Sequence, residues 1–117
     1  MAFSSFEDLE VWKRACNLAV TVFQTMRKSK EYSLRNQMQR AAVSIASNIA
    51  EGAERPPKDF ARFLRIAKGS AAELRTQTYI AAKIEIITPE QMHEVVEETK
   101  AIARMLTNLA RSLKTDN

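Results

Sequence analysis

Apolar and polar positions follow a helical period along nearly the whole chain, and four segments carry the pattern. The first runs from about Glu7 to Lys28. Trp12, Ala15, Cys16, Ala19, Val22, Phe23 and Met26 make one broad apolar stripe, while Lys13, Arg14, Asn17, Thr21 and Gln24 take the other side. Ser5 is the expected N-cap, with Asp8 three residues on. "RKSKEYS" ends the segment on cations that suit the negative end of a helix dipole.

The second segment covers 34–53, with Ser33 as its expected N-cap and Leu34, Met38, Ala41, Ala42, Ile45 and Ile49 as its core face. "ERPPKD" then stops the helix, because Pro56 and Pro57 cannot continue one. Proline is tolerated in a first turn, so a third helix spans 57–85. Its inward face is Phe60, Phe63, Leu64, Ala67, Ala71, Leu74 and Ala81. "TPEQ" reads as a strong start: Thr88 as N-cap, Pro89 in the first helical position, Gln91 closing a capping box. The fourth helix spans 89–114 and turns Met92, Val95, Val96, Thr99, Ile102, Leu106, Leu109 and Leu113 inward. Its early Glu90, Glu94, Glu97 and Glu98, and its late Arg104, Arg111 and Lys114, complement the dipole. Helices of this size are roughly 30 to 40 Å long, and short connections favour antiparallel neighbours. The expected fold is all-α, an antiparallel up-down-up-down four-helix bundle forming one domain over residues 1–117.

Composition agrees. Two glycines and three prolines leave little material for the tight turns of a β fold. One cysteine excludes an internal disulfide and fits a reducing compartment. The start, "MAFSSFEDLE", does not read as a secretory signal, and no apolar run reaches the ~20 residues of a membrane span. The expected location is cytoplasmic, without a membrane partner.

The second helix departs from the ordinary amphipathic pattern. Val43, Ala46 and Ala50 form a further apolar line roughly 120° from the core face. Arg40, Ser44, Ser47, Asn48 and Glu51 share the remaining third. A helix apolar on two sides calls for burial on two sides, and a small bundle supplies one. Self-association is therefore expected, with Val43, Ala46, Ser47 and Ala50 as interface candidates. Arg40 with Ser44, and Ser47 with Glu51, are spaced to meet. Gly52, just before the prolines, reads as punctuation.

Catalytic chemistry finds little to work with. His93 is the sole histidine and falls on a polar face, so a multi-histidine metal site is excluded. Glu90 and His93 offer one Glu-x-x-His spacing, a single outward copy where a di-iron bundle needs facing pairs. Cys16 sits on an apolar stripe, where a thiol behaves as a small hydrophobe. No phosphate loop or dinucleotide fingerprint is present. The expectation is a protein without catalytic residues, metal, cofactor or small-molecule substrate.

Charge is more informative. The chain carries a formal +4. On the third helix Lys58, Arg62, Arg65 and Lys83 fall within about 60° of one another, with Lys68 and Arg75 on an adjacent line. Arg40 and Arg55 could join from the second helix. Arg40, Arg55, Lys58, Arg62, Arg65, Lys68 and Arg75 are therefore the candidate nucleic-acid contacts, since such a stripe can neutralise phosphates. A charged stripe opposite an apolar face is also what any surface helix shows, and both readings stay open.

"FEDLEVWKRA", "QMQRAAVSIASNIAEGAER" and "FARFLRIAKGSAAELRTQ", in that order, closely resemble the four-helix-bundle family encoded in intervening sequences of bacterial 23S rRNA genes. The match spans Phe6 to Leu113. The resemblance implies an antiparallel four-helix bundle and a homopentameric ring, in which five copies would gather about +20 of charge. It is also similar in architecture to the accessory protein of diversity-generating retroelements, a basic pentamer that binds RNA and reverse transcriptase. It carries over no catalytic residues. Two departures stand out: Thr78 occupies a position where the family usually has a larger apolar residue, and "KIEIITPEQ" lacks the glycine often found between the third and fourth helices. The functional expectation is a homo-oligomeric scaffold that binds structured RNA through basic side chains. The alternative is a protein–protein adaptor that binds no nucleic acid.

Overall fold

The computed structural model describes residues 5–115, with side chains described as far as Leu113. The domain expectation over 1–117 therefore extends past the described residues at both ends. Helices α1 (Glu10–Met26), α2 (Tyr32–Ala53), α3 (Pro57–Lys83) and α4 (Pro89–Thr115) follow a short 3-10 turn at Phe6–Asp8. No strand occurs among the described residues. Each helix packs on its chain neighbour, and α1 closes the ring against α4. Among the described residues the diagonal pairs, α1 with α3 and α2 with α4, bring no Cα atoms within 8 Å. This is the expected four-helix bundle, 47 Å long and under 20 Å across.

The helix ends follow their local chemistry, with three corrections to the sequence reading. Ser5 caps the 3-10 turn and not α1: its hydroxyl accepts the Glu7 amide at 3.2 Å and donates to the Glu7 carboxylate at 2.8 Å. Leu9 then stays extended and α1 begins at Glu10. The extra turn lays the Phe6 ring edge-on to Trp12, with centroids 5.2 Å apart. Ser33 is not the cap of α2, which starts earlier at Tyr32; Ser33 lies inside the first turn and accepts from the Gln37 side-chain amide. α3 ends at Lys83, two residues short of the expected boundary. The start of α4 is as read: the Gln91 amide donates to Thr88 Oγ1 and the Thr88 amide to Gln91 Oε1.

The end of α3 explains what replaces the missing glycine. The Ile86 amide reaches back to the Ala81 carbonyl and the Glu85 amide to the Ala82 carbonyl, both at 3.0 Å. This paired pattern requires a left-handed residue just past the helix. Glu85 supplies it, at φ 65°. A residue with a Cβ is strained there, by roughly 1–2 kcal/mol.

All seven expected core residues of α3 are buried. On α1 the core is centred one step from the expected stripe: Val11, Ala15, Leu18, Val22 and Met26 face inward. Trp12, Cys16 and Ala19 are left half-buried at the edge, and Phe23 is 42% exposed. Thr78 and Thr99 are fully buried, which their hydroxyls permit by donating to the Leu74 and Val96 carbonyls at 2.7 Å. Across the thinner α1–α4 seam, Arg14 grips both oxygens of Glu98 at 2.8 and 2.6 Å. That hydrogen-bonded carboxylate raises the guanidinium's pKa above its ordinary value, outweighing the opposing effect of burial.

Gly52 is not punctuation. It lies within α2, buried against α3, where an added Cβ would sit 2.6 Å from Phe63 Cβ and 3.0 Å from Phe60 Cδ1. Phe63 Cβ is anchored to backbone, so the helices must separate to admit a methyl group. Gly69 has nothing within 4 Å of such a Cβ. Gly52→Ala should therefore lower stability by about 1–3 kcal/mol, despite the gain in helix propensity, while Gly69→Ala raises it by about 0.5–1 kcal/mol. Urea unfolding of both variants checks the pair. Glu85→Gly should stabilise the protein by about 0.5–1 kcal/mol by relieving the left-handed residue, measured in the same way.

Candidate functional site

α3 and α4 run antiparallel, and their cationic positions meet along the shared seam. Arg65, Lys68 and Arg75 from α3 lie beside Lys100, Arg104 and Arg111 from α4. Within α4 the three fall within about 40° on a helical wheel, so one face presents all of them. The resulting groove has a volume of about 480 Å³, and no acidic residue lines it. Among the described residues no ion pair engages Arg65, Arg75, Arg104 or Arg111; only Lys100 has a carboxylate at hand, Glu97 at 3.5 Å. Like charges held this close, with Glu97 beside Lys100 as the one counter-charge among the described residues, focus a positive potential along some 15 Å of helix.

At the Arg65 end the groove narrows to a notch of about 220 Å³. Leu64 and Leu106 lie beneath its floor, buried in the core, and half-buried Ala110 is flanked by Arg65, Lys68, Thr107 and Arg111 at its surface. Lys68 Nζ donates to Thr107 Oγ1 at 2.9 Å, bridging α3 and α4 where notch and groove join.

The structure thus gathers three of the seven nucleic-acid candidates: Arg65, Lys68 and Arg75. Arg55 and Arg62 form a separate group, stacked over the Phe63 ring at 4.9 and 4.8 Å, with Arg55 also paired to Glu51. Arg40 and Lys58 are exposed and join neither group. Lys100, Arg104 and Arg111 were not among the candidates. The late placement of Arg104 and Arg111 in the fourth helix read as dipole complementation, Lys100 carried no reading, and only antiparallel pairing reveals that all three face α3.

The interface candidates also converge. Val43, Ala46, Ser47 and Ala50 line an apolar groove of about 390 Å³ with Phe6, Trp12, Cys16 and Ala19 of the α1 side. Val43 is 44% and Val20 55% exposed, large hydrophobic side chains left in water. Burial pushes the Cys16 thiol above its usual pKa, which disfavours the reactive thiolate. The expected pairs Arg40–Ser44 and Ser47–Glu51 do not form. Ser44 turns to α3 instead, bonding Ser70 Oγ at 3.0 Å while Asn48 donates to it, and Glu51 takes Arg55. His93 is exposed. No group of three His, Cys, Asp or Glu side chains among the described residues could hold a metal ion. None of the helices, over the described residues, is long and apolar enough to cross a membrane.

Comparison with known proteins places this geometry. The family model described as 23S rRNA-intervening sequence protein matches residues 7–108. A crystal structure from Bacteroides thetaiotaomicron, of a protein with unknown function from the S23 ribosomal protein family, is similar at a TM-score of 0.80 and 25% sequence identity. The similarity covers 86% of this chain and 97% of that one. No curated protein matches the chain.

Proposed function

The chain belongs to the family of 23S rRNA-intervening sequence proteins, and from that premise we propose that it is a non-enzymatic, self-associating bundle that grips structured RNA along its α3–α4 groove. The observation that carries the reading is the groove itself: six cations from two helices, no acid lining it, and five of the six without an ion pair among the described residues. Surface cations whose work is solubility are normally interspersed with acids. An acid-free run instead favours a polyanion, and guanidinium groups add bidentate bonds to phosphate.

The two grooves lie on opposite sides of the helix ring, α1–α2 against α3–α4. An assembly built through the apolar groove leaves the cationic one facing outward, and each added copy multiplies the field. Five copies, as in the ring that the resemblance implies, would suit this arrangement, and the cytoplasm is the compartment where RNA is at hand. The adaptor reading draws on the same apolar groove with a different protein seated in it.

Two outcomes follow. Light scattering at micromolar concentration should show a closed oligomer; a 13.3 kDa monomer would remove self-association from the account. RNA affinity should fall steeply with salt, and the double variant R75Q/R104Q should reduce the slope of log K against log salt by roughly 1.5 to 2. Absence of binding at ~50 mM salt, or an unchanged slope, would count against the groove as the site.

A further inference from the structure

The α1–α2 groove is not the only apolar surface left in water. On α3, Ile66, Ile80 and Ile84 are between 42% and 51% exposed. With Glu73 they fall within about 40° on a helical wheel, a raised line roughly 27 Å long. Ser70 beside that line bonds Ser44 of α2, so the line lies on the α2 flank of α3, turned away from the cationic groove. On α1, exposed Val20 and Phe23 continue the groove edge one turn past Cys16 and Ala19. Resting on the self-association proposed above, we infer that the isoleucine ridge of one copy seats in the α1–α2 groove of the next. The contact joins two different surfaces, head to tail.

Shape and charge both favour this pairing over groove against groove. Ala19, Ala46, Ser47 and Ala50 are small and leave the groove concave, with room for the branched side chains of a ridge. Two grooves face to face would not fill each other, and the isoleucines would stay in water. Lys13 and Arg40 stand exposed on the two rims of the groove, one turn from Cys16 and Val43, and no ion pair engages either among the described residues. Glu73, midway along the ridge, is likewise exposed and without an ion pair. A ridge with an acid at its middle thus meets a groove edged by cations. The groove occupies the α1–α2 face and the ridge the adjacent α2–α3 flank, surfaces turned by about 90–110° in a four-helix bundle. Copies joined head to tail at that angle close on themselves after roughly four or five, leaving no groove or ridge unfilled. α2 then faces the axis of the ring and the α3–α4 groove faces outward.

The test mixes two full-length variants altered at exposed positions outside the core: Val43→Glu, which blocks the groove, and Ile80→Glu, which blocks the ridge. Circular dichroism first checks that each is as helical as the parent. Sedimentation at high micromolar concentration should show each variant alone as a monomer, while the parent is assembled. An equimolar mixture should then form a heterodimer of twice 13.3 kDa, since one chain keeps an intact groove and the other an intact ridge. Ile66→Glu, a second position on the ridge, should behave as Ile80→Glu does. Assembly of both ridge variants at the parent's mass would overturn the ridge and leave self-association through the groove intact. Monomers that ignore each other on mixing would overturn the head-to-tail contact. A monomeric parent would overturn both this inference and the self-association it rests on.

Discussion

α3 must bury itself against two neighbours at once, and the rest of the molecule is arranged around that requirement. Its small residues, Ala61, Ala67, Ala71 and Ala81, are almost entirely inaccessible, and so are Phe60, Leu64 and Leu74 between them. On the α2 side the approach at Gly52 is tight, and Phe63 leaves no room there for a side chain. On the α4 side Val95, Ile102 and Leu106 complete the core. Close-packed interiors do not adjust smoothly, so this packing fixes the position of α3 against both partners. That position brings the cations of α3 and α4 to one seam.

The two halves of the surface are then chemically distinct. The α3–α4 side is cationic and no acidic residue lines its groove, so its charges are met by water and solvent ions. The α1–α2 side is apolar, with Trp12, Cys16 and Val43 around a shallow groove that water solvates poorly. Arg14 and Glu98 hold α1 to α4 between these faces. The pair is partly exposed, so its contribution is modest and sensitive to salt. Its bidentate geometry fixes the angle at which α1 meets α4 more than it adds stability.

Much of this was legible in the chain, because helical periodicity and proline placement are local signals. The core face of α3, the Pro56–Pro57 break and the Thr88–Gln91 box all follow from neighbours in sequence. The errors have two causes, one local and one between helices. Ser5 and Ser33 have the right chemistry for caps, but hydrogen bonding at Phe6–Asp8 and the earlier start at Tyr32 decided otherwise. Gly52 looked like a terminator because its partner, Phe63, lies across the α2–α3 interface. Lys100, Arg104 and Arg111 could be tied to Arg65, Lys68 and Arg75 only once the antiparallel register was known. Positions that depend on two helices at once are invisible to a reading of either alone.

The account turns on whether RNA lies in the α3–α4 groove. Ultraviolet crosslinking of the native protein to RNA, followed by mass spectrometry of the adducts, addresses this directly. The account predicts adducts concentrated on two peptides, one spanning Arg65–Arg75 and the other Lys100–Arg111. Adducts confined to α1 and α2, or spread evenly over all exposed cations, would contradict it.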